Sequence, residues 1–217
     1  CIDLQHGCMD YETALAMIRA VDLTDAVPIV RVPRNEPGII GRVLDAGALG
    51  LIVPMIESLD DAVRLVDAAR YPPLGRRSLG PTRGGLRDGP HYVDEADARI
   101  VVVPMIETRG ALDAVEEIVA LDGIDGAFVG PFDLSLALGL PPGENDGDPE
   151  FDAALARVVE ACEGAGRFAA AFSSPARAAQ RVRQGFRMVS VIPDVAALVG
   201  AARGALDRVR RDLDGAL

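Results

Sequence analysis

The sequence predicts an α/β fold, a TIM (β/α)8 barrel that lacks its first βα unit and forms one domain over residues 1–217. Three observations lead to this prediction. Short apolar runs alternate with longer segments of helical period along the whole chain. The apolar runs are continuous rather than alternating with polar residues, which is typical of parallel strands buried on both faces. The βα units contain about 30 residues each, which fits the unit size of the barrel, but the chain holds one unit too few.

The apolar runs predict strands at residues 1–5, 27–32, 49–54, 100–106, 126–130, 167–172 and 187–192. Segments of helical period predict the helices between them, at residues 11–22, 36–46, 59–70, 109–121, 150–165, 175–184 and 194–213.

The first strand distinguishes the barrel from its main alternative, an open doubly wound sheet. Such a sheet normally has a glycine-rich turn after its first strand, whereas this chain has the sequence IDLQHG there. The chain also begins directly in a strand and without methionine. We therefore expect it to be an amino-terminally shortened form of a longer barrel.

Composition excludes several classes of function. The formal charge is 22 minus 33, or −11, and no dense basic cluster offsets it, which disfavours nucleic acids and anionic membranes as partners. No apolar run approaches the roughly 20 residues that span a bilayer, so we expect a cytoplasmic protein. All 22 cationic residues are arginine, which excludes a lysine Schiff base. Carbonyl chemistry in this chain would need a metal.

One local sequence occurs twice. VPMIESLDDAVRLV begins at Val53 and VPMIETRGALDAVEEIV begins at Val103, so two βα units share a local design. In both copies Ser or Thr follows the glutamate, as is common at a helix start. Glu57 and Glu107 could therefore both be carboxylates that serve only to begin a helix.

In a TIM barrel the active site lies at the carboxyl ends of the strands. The polar residues predicted at these ends are Asp3, His6, Arg31, Glu57, Glu107, Asp133 and Ser173. Glu107 and Asp133 follow successive strands and can converge, and without a lysine between them they would repel unless a cation lies there. Two carboxylates favour Mg²⁺ or Mn²⁺, and they leave about four coordination positions for water and substrate.

Three further residues fit proton transfer and anion binding. Arg31 follows an apolar strand, where it could meet an anion or a developing oxyanion. His6 could act as a base oriented by Asp3. Purely structural interpretations are also open: Asp133 as a helix cap, His6 as a hydrogen-bonded histidine, and Arg31 as the partner of a structural acid. Their joint occurrence at strand ends favours a functional site.

Several motifs resemble one known family. IDLQHG, VRVP, GLIVPMIES, RYPPLGRRSLGP, PMIETRGALDAV and GAFVGPFDLSLALG resemble the HpcH/HpaI aldolase family, the class II metal-dependent pyruvate aldolases of the 4-hydroxy-2-oxoheptanedioate aldolase type. This family lies within the citrate lyase β-subunit and phosphoenolpyruvate-binding barrel superfamily. The resemblance covers essentially the whole chain and implies a TIM barrel.

The resemblance also implies roles for individual residues. Glu107 and Asp133 would hold a divalent metal, Mg²⁺, Mn²⁺ or Co²⁺, while Glu57 matches no metal position. His6, with Asp3 as its orienter, would belong to the proton-transfer apparatus, and Arg31 would bind the keto oxygen of pyruvate. Backbone amides around Gly130, Pro131 and Phe132, next to Asp133, would lie beside the substrate carboxylate. Met105 stands where many members have a glutamine.

The function implied is a reversible aldol lyase that cleaves or forms 4-hydroxy-2-oxo acids through a pyruvate enolate, as in the catabolism of aromatic compounds. Its small-molecule partners would be a 2-oxo acid and an aldehyde. An alternative is an acyl-CoA lyase of the citryl- or malyl-CoA type, or an oxaloacetate decarboxylase. Arginines 76, 77, 83 and 87 could then face a CoA phosphate, or else belong to a solvated, mobile loop. A further alternative is a catalytically silent barrel.

The carboxyl-terminal segment, residues 194–217, predicts a long helix with an apolar stripe. The stripe consists of Val195, Leu198, Val199, Ala202, Leu206, Val209 and Leu213. It could pack on its own barrel or exchange between subunits. The family resemblance implies exchange, and hence a homo-oligomer built as a hexamer, a trimer of dimers.

Overall fold

The computed structural model describes residues 1–214. Its strands form one parallel seven-stranded sheet whose spatial order follows the chain order. The strands β1 to β7 cover Ile2–Asp3, Ile29–Arg31, Gly50–Val53, Val101–Ile106, Gly126–Val129, Phe168–Phe172 and Met188–Ser190. All lie within the predicted ranges. Among the described residues β7 does not pair with β1, so the sheet is a curled half-barrel, which agrees with a TIM-like barrel that lacks a unit.

The helices α1 to α11 connect and cover these strands. They cover Tyr11–Val21, Pro37–Asp45, Leu59–Ala69, Thr82–Asp88, Tyr92–Arg99, Arg109–Asp113, Val115–Ala120, Pro131–Ala137, Pro149–Gly164, Ala178–Arg183 and Asp194–Asp214. Every predicted helix is present, although the one predicted at 109–121 is divided at Ala114 into α6 and α7.

Three short helices, α4, α5 and α8, were not predicted. The glycine-rich segment predicted to be a mobile loop forms α4 and leads into α5. Two arginines of α4, Arg83 and Arg87, bind Asp22 at 2.5 and 3.1 Å, and these tertiary contacts hold a segment of poor helix propensity in place.

Burial on both faces of the sheet is confirmed, because the apolar residues form two clusters. The larger cluster lies between the sheet and the helices. The smaller one lies on the concave face and consists of Ile52, Val103, Met105, Phe128 and Ala170. Successive residues of one strand, such as Val102 and Val103 in β4, belong to different clusters because their side chains point to opposite faces of the sheet.

The amino-terminal edge of the sheet is fastened by Arg70, which follows α3 and is 1 % exposed. Its guanidinium donates to the carbonyl oxygens of Gly123, Asp97 and Ile100 and to the carboxylate of Asp125, at 2.6–3.0 Å. The same carboxylate accepts the N–H of Val102 at 2.7 Å. These bonds join the segments that enter β4 and β5.

The predicted carboxyl-terminal helix is present as α11. None of its residues is buried, so its apolar stripe does not pack on its own barrel in this structure. The part of the prediction that concerns residues 215–217 lies outside the described residues. Within residues 1–214, no helix is both long enough and apolar enough to cross a membrane.

Candidate active site

The polar side chains singled out from the sequence lie at the carboxyl edge of the sheet. Asp3 and Arg31 end β1 and β2 and are register partners. Glu107 follows β4 directly, and Asp133 lies in the first turn of α8, immediately after β5. Since parallel strands end at the same edge, the topology brings these residues together, with His6 in the turn after β1.

Glu107 is the buried carboxylate of this edge, with 2 % of its surface exposed. Its Oε1 accepts the backbone N–H of Met55 at 2.9 Å. Burial raises the pKa of the Glu107 carboxyl above its ordinary value. The Met55 N–H and the charge of Arg31 lower it, whereas the charge of Asp133 raises it further. Glu107 is therefore electrostatically coupled to both Asp133 and Arg31.

Gly130 allows this carboxylate to lie against the backbone that precedes α8. A Cβ atom on Gly130 would collide with Oε2 of Glu107 and would lie 2.9 Å from the terminal methyl of Met105. Met105, which replaces the glutamine common in the resembled family, is buried in the concave cluster. The space beside Oε2 thus depends on the absence of a side chain at residue 130.

Arg31 forms a two-pronged ion pair with Asp3, with Nε 2.8 Å from Oδ1 and Nη2 2.5 Å from Oδ2. Burial alone would raise the pKa of Asp3, but the hydrogen bond and charge of Arg31 lower it below its ordinary value. Asp3 also accepts the backbone N–H groups of Gln5 and His6. Both side chains are partly exposed, so the pair faces the mouth of the half-barrel.

The expected orientation of the His6 ring by Asp3 is not what the structure shows. Asp3 contacts the backbone of His6 and not its imidazole, which is exposed. The reason is register: pairing of β1 with β2 places Asp3 opposite Arg31, and a guanidinium offers a carboxylate two parallel hydrogen bonds.

Glu57 lies directly before Ser58, the residue that caps α3. It is exposed, and its backbone N–H donates to Asp61. Ser58 caps α3 by accepting the N–H of Asp61 at 3.2 Å, while the Asp61 carboxylate accepts the Ser58 hydroxyl. This is a capping arrangement, and it accounts for the first PMIE copy without a metal.

Ser173, also predicted at the edge, belongs to a buried network on the neighbouring loop. Its hydroxyl donates to Glu144 at 2.8 Å. Arg181, 0 % exposed, binds both carboxylate oxygens of Asp146 at 2.6 and 2.8 Å. Asn145 donates to the hydroxyl of Ser135 in α8 at 2.8 Å. The loop between α8 and α9 therefore connects the helix that carries Asp133 to α10.

Three of the four arginines considered for a CoA phosphate have structural partners. Arg77 binds Asp45 and the hydroxyl of Tyr92, at 2.8 and 3.0 Å. Arg83 and Arg87 bind Asp22. Arg76 is exposed and lies 3.4 Å from Asp67. Neither the proposed contact with a CoA phosphate nor a freely solvated loop fits Arg77, Arg83 and Arg87.

The chemistry of the cluster fits a divalent cation. When ionised, Asp3, Glu107 and Asp133 carry three negative charges against the single positive charge of Arg31, a net charge of −2. Within residues 1–214 no three His, Cys, Asp or Glu side chains gather as metal ligands. The candidate protein ligands are the two carboxylates of Glu107 and Asp133. Such an open ligand set, with hard oxygen donors, suits Mg²⁺ or Mn²⁺ and leaves room for a chelating substrate.

Comparison with known proteins identifies the family of the chain. Residues 1–201 match the family described as HpcH/HpaI aldolase/citrate lyase. A hydroxypyruvate/pyruvate aldolase of Rhizorhabdus wittichii is 40 % identical over 96 % of the chain and 84 % of the relative. A 4-hydroxy-2-oxovalerate aldolase of Novosphingobium aromaticivorans is 42 % identical over 76 % of the chain and 64 % of the relative. A crystal structure of a family protein from Burkholderia cenocepacia is 36 % identical over 97 % of the chain and 84 % of that chain, with a TM-score of 0.88.

Proposed function

The chain belongs to the HpcH/HpaI aldolase/citrate lyase family, and on that premise we propose that it is a divalent-metal-dependent aldol lyase acting on 4-hydroxy-2-oxo acids. Like the relatives named as aldolases, it is a carbon–carbon lyase. The finer proposal is that it cleaves or forms these acids through the enolate of pyruvate, with an aldehyde as the second partner. The observation that carries it is the position of the buried Glu107, Asp133 and Arg31 at the carboxyl ends of neighbouring parallel strands, on one edge of the sheet.

Glu107 and Asp133 would hold the cation, which we propose to be Mg²⁺, Mn²⁺ or Co²⁺. When bound, it supplies Lewis-acid polarisation of the 2-oxo group and offsets negative charge at the edge. The support for this assignment is the pair of carboxylates, one buried and one exposed, beside the close approach at Gly130.

Arg31 would bind the keto oxygen of pyruvate. Asp3 occupies Nε and Nη2 and so fixes the plane of the guanidinium, while Nη1 donates to no acceptor within the described residues. A fixed cationic donor next to this oxygen stabilises the negative charge that the oxygen acquires as the enolate forms. In this proposal Asp3 acts through Arg31.

The substrate carboxylate would lie at the start of α8. The residue before this helix, Gly130, has no side chain to cap it, so the N–H groups of Phe132 and Asp133 lack partners within the helix. Pro131 has no N–H, and Gly130 lets a ligand approach the backbone closely. Two free N–H groups at a helix start are a suitable partner for a carboxylate.

His6 would transfer the proton. In synthesis, one imidazole nitrogen accepts a methyl proton of pyruvate, the resulting carbanion carbon attacks the aldehyde carbonyl, and the oxygen of that carbonyl takes up the proton. In cleavage, the 4-hydroxyl loses its proton, the C3–C4 bond breaks, and the enolate regains a proton at C3. Since Asp3 does not hold the exposed imidazole, we propose that bound substrate completes its orientation.

The test is release of pyruvate from 4-hydroxy-2-oxo acids, measured with Mn²⁺ and with EDTA. Glu107→Gln and Asp133→Asn should each abolish metal-dependent turnover, since each removes one of only two ligands. Glu57→Gln is the matched control from the other PMIE copy and should keep activity. Equal loss in all three variants would refute the assignment. Metal-dependent exchange of pyruvate methyl protons into D₂O, followed by NMR, would exclude a catalytically silent barrel.

A second candidate is decarboxylation of oxaloacetate, which yields the same enolate. It needs no CoA site, so it is compatible with the structural use of Arg77, Arg83 and Arg87, which disfavours an acyl-CoA lyase. The family description also includes citrate lyase. Comparison of the rates with a 4-hydroxy-2-oxo acid, oxaloacetate and an acyl-CoA separates the three activities.

We also propose that the protein is a homo-oligomer assembled through α11. The apolar stripe of this helix is exposed, with Leu198 at 73 % and Leu206 at 57 %. A continuous exposed apolar stripe is typical of a surface that another element covers.

A further inference from the structure

Met55 has a backbone conformation that its residue type disfavours. Its φ is 53°, and it is the only residue other than glycine with positive φ among residues 1–214. Residues other than glycine are uncommon in this region because the Cβ atom crowds the backbone. Such outliers persist where surrounding contacts impose them, and they cluster at functional sites.

The two copies of the sequence VPMIE show that the conformation does not come from local sequence. In the second copy, residues 103–107, the strand β4 continues to Ile106, and Met105 has no positive φ. In the first copy, residues 53–57, β3 ends at Val53 and Met55 has positive φ. Identical pentapeptides adopt different backbones, so tertiary contacts determine the difference.

Two contacts with the residues after Met55 come from the segment that follows β4. Thr108 donates its hydroxyl to the carbonyl oxygen of Ile56 at 3.1 Å. Gly110 lies so close to the carbonyl oxygen of Glu57 that a Cβ atom there would collide with it. With its backbone in this conformation, Met55 donates its N–H to Oε1 of Glu107, at 2.9 Å.

This bond gives the two oxygens of Glu107 different surroundings. Oε1 is occupied by the Met55 N–H, whereas Oε2 lies against Gly130, the residue that leads into the helix of Asp133. A carboxylate held by one oxygen cannot rotate freely about its terminal bond. Oε2 is then the oxygen on the side of Gly130.

We propose that Met55 is a positioning residue. Its backbone, held at positive φ, donates the N–H that fixes Oε1 of Glu107, so that Oε2 alone is presented to the cation. The inference rests on the proposed metal site. In this proposal the second PMIE copy contributes the metal ligand, Glu107. The first copy contributes no ligand, but its backbone N–H at Met55 positions Glu107.

The direct test replaces the Met55 peptide N–H by an ester oxygen, through incorporation of the α-hydroxy acid that corresponds to methionine. The matched control is the same replacement at Ile39, whose N–H donates to Glu36 at the same distance of 2.9 Å in the helix cap of α2. Binding of Mn²⁺ is measured by titration, and stability by thermal unfolding in EDTA. Loss of such a supporting bond typically weakens metal binding by about 10- to 100-fold.

We expect this loss for the ester at Met55 and a change of less than about twofold for the ester at Ile39, at similar losses of thermal stability. If the Met55 ester binds Mn²⁺ like the wild type while Glu107→Gln does not, the positioning role is refuted and the metal site stands. If Glu107→Gln itself binds Mn²⁺ like the wild type, the proposed metal site is refuted.

Two ordinary substitutions test the same idea should the ester variant not fold. Met55→Gly keeps the N–H and tolerates positive φ, so it should retain the wild-type affinity for Mn²⁺. Met55→Val adds branching at Cβ and disfavours this backbone, so its affinity should fall by about tenfold or more. Equal affinities of the two variants would refute the role of the backbone.

Discussion

Replacement of Gly130 by alanine tests the closest approach in the candidate site. The backbone at Gly130 has φ −93° and ψ 95°, values that alanine adopts without strain. The added methyl group, however, would collide with Oε2 of Glu107 and lie 2.9 Å from the terminal methyl of Met105. The substitution therefore acts through packing at the metal ligand and not through the backbone.

The size of the effect follows from these distances. The Met105 methyl must move away by roughly 0.6 Å to reach the carbon–carbon optimum of about 3.5 Å. Oε2 is closer to the added group and must move by more, on the order of 1 Å. A misplacement of this size can cost about 100-fold in rate, which is about 2.7 kcal/mol in the activation barrier. Overpacking should also destabilise the fold by about 1–3 kcal/mol.

The assay compares kcat/KM for pyruvate release, the affinity for Mn²⁺ and the Tm of the variant with those of the wild type. Gly41→Ala is the matched control, because nothing lies within 4 Å of its added Cβ. This control should keep full activity, and its stability should rise by about 0.5–1 kcal/mol, since alanine favours the helix α2. Wild-type activity and affinity in Gly130→Ala would refute the placement of Glu107 Oε2 in the site.

The remaining predictions concern charge, pH and assembly. Arg31→Lys should lower kcat about 100-fold, because a single ammonium cannot keep both hydrogen bonds to Asp3 and still bind substrate; unchanged kcat would remove Arg31 from the site. Burial raises the pKa of Glu107, so the stability this group contributes to the metal-free protein is present below its ordinary pKa and is lost as pH rises through the raised folded-state value. Unfolding in EDTA should therefore show Glu107→Gln becoming more stable than the wild type as pH rises through that window, and a pH-independent difference would contradict this. Deletion of the residues after Gly200 should dissociate the proposed oligomer, and light scattering that shows a monomer before the deletion would refute the assembly.

Much of the fold could be predicted because its strands are continuous apolar runs, and parallel topology then placed Glu107 and Asp133 at one edge. The helices α4 and α8 could not be predicted, because their Gly and Pro residues indicate loops and turns. Tertiary contacts stabilise these short helices. The pairing of Asp3 with Arg31 instead of His6 depends on the register of β1 and β2, which the sequence does not state.

The positive φ of Met55 could not be predicted from the local sequence either. The same five residues, VPMIE, continue as a strand to Ile106 in one copy, whereas in the other the strand ends at Val53. Contacts with distant residues, among them Thr108 and Gly110, involve the first copy. Local sequence therefore predicted two equivalent helix starts, and the difference between Glu57 and Glu107 came from the family resemblance and the folded contacts.

The fastening of the amino-terminal edge by Arg70 has a consequence for how this enzyme can change. Arg70 joins the entries to β4 and β5, while every proposed ligand lies at the other end of these strands. Substitutions at well-separated sites usually contribute additively, so loops at the mouth can be randomised without loss of this anchorage. Laboratory selection for new aldehyde acceptors can therefore vary the mouth loops and keep Arg70 and its hydrogen-bond partners unchanged.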